Sequence, residues 1–324
     1  MKHFYLFSSA FYLLGSLTAL SQIGGPVTGY LPDGGSIRTI HGIPAAGIVT
    51  GALDAGRELS LIEVAPGQAV ALARAADSGE ALILIPNAAG SGVSIAGVPG
   101  AAAGASRIVF SPSGTAAALW FSSNGHLQVV TGLPSSPAVR DTDASFAGGD
   151  PGALAVSDDG SWTIGSWARQ VYAFGPNSAV NVLPVTGVAQ ALCFFHSSTN
   201  VAVVTADQVV TISDIGGGAV PKVIWTKPED AVESTAQFAV GVAASFDNSR
   251  LTVANNVGNL FTFDMATGEG KGADCGCAPT TLAGLGGSTF RLTGAKAGAL
   301  KVFDAATNEI WIVPLAVAAD GGQQ

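Results

Sequence analysis

Charge is what this sequence has least of. Asp, Glu, Lys and Arg together make 11% of its 324 residues, against roughly a quarter in an average protein. The 14 basic residues are scattered, and the net charge is −9 with an isoelectric point near 4.7. A nucleic-acid partner requires a basic patch to neutralise phosphates, and the sequence offers none. Histidine is sparse too: His41, His126 and His196 stand far apart and show no ligand spacing. Three cysteines cannot all pair within the chain. Cys275 and Cys277 are spaced for a small-ring disulfide in an oxidising compartment, while Cys193, in an apolar stretch, reads as a small buried hydrophobe. A zinc site would need a second Cys pair or paired His, so no metal is expected. There is no P-loop, no dinucleotide fingerprint and no Gly-x-Ser-x-Gly elbow. No cofactor and no catalytic residue is therefore assigned.

Long helical periodicity is also missing. In its place are 43 Gly, 16 Pro and 48% hydrophobic residues, with the Gly and Pro punctuating the chain every few residues. That pattern predicts many short strands joined by tight turns. The exception is the first stretch, "MKHFYLFSSAFYLLGSLTALSQ". Lys2 and the amino terminus supply positive charge, residues 4–20 are apolar, and Ala19 and Ser21 are small residues placed for cleavage before Gln22. Residues 1–21 have the form of a secretory signal peptide. An N-terminal membrane anchor is the alternative, since the stretch is near the shortest spanning length. No other segment is long and apolar enough to span a bilayer. The expectation is a secreted or periplasmic mature chain, 22–324, with no membrane span.

What the chain does have is a repeat. "VFSPSG" at 109–114 opens a unit of strand, turn, strand, polar loop and third strand. "LAVSDDG" at 154–160 and "VAASFDNSR" at 242–250 open others of the same plan. The third strands begin at Leu82, Leu127, Val171, Val209, Leu260 and Leu300, a mean spacing of about 44 residues, and a fourth strand follows most of them. Four short strands per such period define a β-propeller blade. The units are 59–104, 105–150, 151–187, 188–237, 238–279 and 280–316, with a partial unit at 27–58 in which "SIRTI" stands at the third-strand position. The predicted fold is an all-β propeller of four-stranded blades. Seven blades fit the length, six are the alternative, and the inner strands missing from the partial unit would have to come from the C terminus. In the turns, Pro or Asp precedes a Gly that can take positive φ.

The units "VFSPSGTAAALW", "LAVSDDGSWTIGSW" and "AASFDNSRLTVANNVGNLFTFDMATGE" resemble the YVTN/lactonase-like and WD40-like propeller repeats of exported bacterial proteins. The resemblance implies a seven-bladed ring with ligands at its central mouth, and it transfers no catalytic residue.

In such a ring the loops between second and third strands share one face with the links between blades, and function concentrates on loops held by a rigid scaffold. These loops contain Trp167, Arg169, Asp207, Asn255, Asn256 and Lys296, the candidate ligand-binding residues. Trp167 with Arg169 is the most binder-like pair, because aromatic and Arg residues are common interface anchors; the alternative is that Trp167 packs at a blade edge. The adjacent pair Asp158 and Asp159 falls in a first turn and is expected to shape it. The function expected is a non-catalytic scaffold presenting this loop face to a protein, a glycan or a small molecule. The alternative is a lactonase-like hydrolase of a small sugar lactone, with its site at the central channel.

Overall fold

The structure is a computed structural model describing residues 26–42, 46–87, 92–228, 238–294 and 298–316; the expected signal peptide lies outside these residues. The first sheet holds β1 (Val27–Asp33), β2 (Ser36–His41) and β3 (Ile48–Leu53). The second holds β4 (Leu59–Val64), β5 (Ala71–Ala75), β6 (Ala81–Pro86) and β7 (Val93–Gly97). The third holds β8 (Arg107–Phe110), β9 (Ala117–Phe121), β10 (His126–Thr131) and β11 (Ala138–Asp143). The fourth holds β12 (Ala153–Val156), β13 (Thr163–Trp167), β14 (Gln170–Phe174) and β15 (Val180–Val182). The fifth holds β16 (Ala189–Phe194), β17 (Val201–Thr205), β18 (Gln208–Ser213) and β19 (Val220–Thr226). The sixth holds β20 (Ala239–Ala244), β21 (Arg250–Asn255), β22 (Asn259–Asp264) and β23 (Gly270–Asp274). The seventh holds β24 (Ala283–Gly286), β25 (Thr289–Arg291), β26 (Ala299–Asp304) and β27 (Glu309–Pro314). Each sheet is an antiparallel meander in chain order, and together they form a seven-bladed propeller.

The third strands read from the sequence coincide with β6, β10, β14, β18, β22 and β26, each starting one residue earlier than expected. Seven separate hydrophobic clusters account for the ring, one between each neighbouring pair of sheets. The one that closes it packs Leu31, Ile40 and Val49 of the first blade against Leu300, Val302 and Val313 of the seventh. Because neighbours cover both faces of each blade, second strands such as β9, "AALWF", are buried at every position instead of alternating. The outermost β19 is mostly exposed.

The first blade has three strands among the described residues. Its β1 lies beside β4, and its β3 lies beside β27. Chain direction identifies the missing strand as the innermost one, since β3 runs directly into β4, as each fourth strand runs into the next blade. The C-terminal residues were expected to supply this inner position. The described ones meet β3 instead: Leu315 forms a parallel bridge with Val49, and the Ala316 N–H donates to the Val49 carbonyl at 2.7 Å. At the axis, the side chain of Gln68, in the turn after β4, occupies the junction. Its Oε1 accepts the Tyr30 N–H at 2.7 Å, and its Nε2 donates to the carbonyls of Gly284 at 3.1 Å and Ala65 at 3.2 Å. One side chain thus ties the second blade to the first and the seventh.

The first turns behave as their sequences imply, with one refinement. Gly114 has φ +78°, and a Cβ there would stand 2.7 Å from that of Ala65 in the neighbouring turn. Asp159 shapes its own turn by accepting from the Ser157 and Ser161 hydroxyls and the Ser161 N–H. Asp158 does something else. Its Oδ1 accepts the N–H and hydroxyl of Ser113, and its Oδ2 accepts the Ser197 N–H, all at 2.7 Å. It joins the turns of three blades. The Asn248 side chain similarly clasps the backbone N–H and carbonyl of His196, joining the fifth and sixth.

Candidate functional site

The inner strands β4, β8, β12, β16, β20 and β24 enclose a cavity of about 390 Å³ on the ring axis. No residue of the first blade lines it, because that blade has no innermost strand among the described residues. Among the described residues, seven sheets therefore surround six lining strands. Its wall is mainly aliphatic, from residues such as Leu61, Val109, Leu154, Leu192, Val240 and Leu282. Small, apolar inner strands follow from crowding near the axis, and the few charges set into this wall stand out against it.

Glu63, on β4, is half-buried and lines the cavity. Its carboxylate makes no hydrogen bond or ion pair among the described residues. Burial raises its pKa, opposed by the positive charges of Arg291 and Arg107. Arg107 opens β8 on the adjacent blade. Its Nη1 donates to the carbonyls of Pro151 at 3.0 Å and Gly152 at 3.3 Å, which fixes the guanidinium plane and leaves Nε and Nη2 without a partner among the described residues. Burial lowers its pKa, and the negative charges of Glu63 and Asp150 act against this. Arg291 sits on β25 behind Ala283 of the inner strand, only 8% exposed. It makes no hydrogen bond or ion pair among the described residues. Burial lowers its pKa as well, with Glu63 the one opposing charge. An acid and two guanidiniums thus share one field without being in contact.

His196 and Cys193 complete the reactive groups of the wall. The His196 Nδ1 is buried without a partner, and its ring lies 4.8 Å from that of Phe246. Burial holds the imidazole below its usual pKa despite the negative charges of Asp158 and Asp247. Cys193 is half-buried, and burial pushes its thiol to about 12. It remains a thiol at neutral pH and is a poor nucleophile. Cys275 and Cys277 form a disulfide.

The loop residues singled out from the sequence differ in their surroundings. Trp167, Asp207, Asn255 and Asn256 stand in or beside the turns between second and third strands of the fourth, fifth and sixth blades, on the face opposite the first turns. Trp167 is buried, 4% exposed, and is a packing residue. Its Nε1 donates to the Gly149 carbonyl at 3.0 Å, and its ring stands edge-on to Trp120 at 5.7 Å. Arg169 and Asp207 are exposed. Asn255 is buried, its Oδ1 accepting the N–H groups of Val257 and Asn259 to shape its turn. Asn256 is exposed beside it, and Lys296 lies outside the described residues. Trp167 and Asn255 are thus bound into the scaffold, because a tight turn on a fully covered sheet directs larger side chains inward to pack or to satisfy backbone groups.

Similarity to solved structures extends over most of the ring. A functionally unknown protein from Desulfotomaculum acetoxidans DSM 771 matches with a TM-score of 0.58 at 10% identity, over 89% of this chain and 99% of that one. Apo AztD from Citrobacter koseri matches with a TM-score of 0.55 at 9% identity, over 87% of this chain and 79% of its own. At these identities the likeness concerns the propeller fold. No family model matches the sequence, and no curated protein matches it.

Proposed function

We propose that the chain is an exported, non-catalytic binding protein that takes a small ligand in the cavity on its axis. The observation carrying this reading is a cavity of about 390 Å³ in which Glu63 and Arg107 present charged groups with unused hydrogen-bonding capacity. That volume falls within the range of small-molecule sites, which are mostly apolar with a few fixed polar groups. A buried charge without a partner is costly, and a ligand that supplies the partner recovers that cost on binding. The cavity reaches the first turns, where Pro66, Pro112, Ser113, His196 and Phe246 line it, and that end is the route we assign to the ligand.

Thermal-shift measurements with the mature chain against amino acids, organic acids, amines, sugars and sugar lactones test this reading. Stabilisation by at least one class is expected, and it should be lost in Ala243→Phe, which places a ring against the cavity wall. Hydrolysis of a sugar lactone by the chain, abolished by that same variant, would replace the binding-protein reading with an enzymatic one.

A further inference from the structure

Taking the cavity as the ligand site, as proposed above, we infer that it selects a small zwitterion, an amine and a carboxylate on one compact apolar frame such as a free amino acid. The inference rests on how charge is set into the wall. Arg107 is held by two backbone carbonyls through Nη1, so Nε and Nη2 are a pre-oriented pair of donors. Two parallel N–H donors are what a carboxylate takes up most strongly. Glu63, on the neighbouring inner strand, is an acceptor-only group with no donor on it among the described residues, and an ammonium supplies up to three. The two groups interact electrostatically but form no ion pair. The space between them is the space a ligand would occupy.

Arg291 sharpens the choice. It is 8% exposed, makes no hydrogen bond or ion pair among the described residues, and its positive charge acts on Glu63. A ligand bearing only negative charge would meet the Glu63 carboxylate. A ligand bearing only positive charge would meet the Arg107 guanidinium, with the Arg291 charge behind the wall adding to the repulsion in a medium that screens poorly. A neutral polyol could hydrogen-bond both but would offset neither charge. Aliphatic residues such as Leu61, Val109 and Leu192 offer part of the remaining wall to an apolar side chain.

The test is isothermal titration of the mature chain with glycine, leucine and phenylalanine, and with isocaproate, isoamylamine and glucose as controls. Isocaproate is leucine without its amine, and isoamylamine is leucine without its carboxylate. At least one amino acid should bind, with the matched acid and amine about tenfold or more weaker, a difference of about 1.4 kcal/mol. Glu63→Gln should weaken the amino acid and strengthen isocaproate, a reversal that general loss of structure cannot produce. Circular dichroism would establish that the variant folds. If isocaproate or isoamylamine binds as tightly as leucine, or glucose alone binds, the zwitterion assignment falls while the cavity reading stands. If nothing binds, both fall.

Discussion

Replacing Gln68 examines how the ring is closed. Its side chain makes three hydrogen bonds, to the Tyr30 N–H and to the carbonyls of Gly284 and Ala65. An intramolecular hydrogen bond contributes about 0.5–1.5 kcal/mol net, so Gln68→Ala is expected to cost about 2–3 kcal/mol. The residue also has φ +61°, a conformation that costs a non-glycine residue roughly 1–2 kcal/mol. Gln68→Gly loses the same bonds but escapes that penalty, so it should be less destabilised than Gln68→Ala by about 1 kcal/mol. At about 2 °C per kcal/mol for a chain of this size, the expected fall in Tm is about 5 °C for Ala and about 3 °C for Gly. Calorimetric melts of the three proteins provide the measurement, and the exchange rate of the Tyr30 amide should rise in both variants. A Tm for Gln68→Ala within a degree of the parent would refute the closure role. A Gly variant no more stable than the Ala variant would refute the backbone part of the reasoning.

Three other outcomes are expected. Trp167→Ala should lose about 3–5 kcal/mol in a denaturant titration, as a buried aromatic does, whereas Arg169→Ala should stay within about half a kcal/mol. Asp158→Ala, which parts the turns of three blades, should cost about 2 kcal/mol by the same assay, with far-ultraviolet circular dichroism unchanged below its Tm. Burial raises the Glu63 carboxyl above its ordinary value of 4.5, so the native chain holds that proton more tightly than the unfolded one. Its ionisation therefore lowers stability as pH climbs past the unfolded value. Glu63→Gln should accordingly melt higher than the parent near neutral pH, with the gain vanishing as pH falls below about 4; a gain that is the same at both pH values would contradict it.

Much of the architecture was legible because the repeat writes it several times. A turn such as Ser157 to Gly160 fixes where a first strand ends, and the polar break after the second strand fixes the third, so the third strands begin within a residue of expectation. Ring closure was less legible because it happens once. Nothing in "APGQAV" distinguishes Gln68 from any polar turn residue until Gly284, 216 positions away, is brought beside it. The choice between six and seven blades has a structural counterpart: among the described residues, seven sheets surround a cavity that six of them line.

The candidate cavity was less legible for a different reason. Of the loop candidates, Trp167 and Asn255 serve packing and turn geometry, while Arg169, Asp207 and Asn256 are exposed. The charges that line the cavity lie inside the strands. Counting back from the first turn of each blade, the position held by Glu63 is Val109, Ala155, Cys193 and Ala243 in the next four, and the position held by Arg107 is Leu61, Ala153, Ala191 and Gly241 in others. A charge at a position the other copies keep small or apolar is an exception to the rule that makes the repeat. In a chain with so few charges, such an exception carries a desolvation cost that packing does not explain. The repeat itself therefore provides the comparison by which such exceptions are picked out. Departures from it at the inner strand converge on the axis, because every inner strand faces the same space, whereas departures at the outer strands of different blades remain apart.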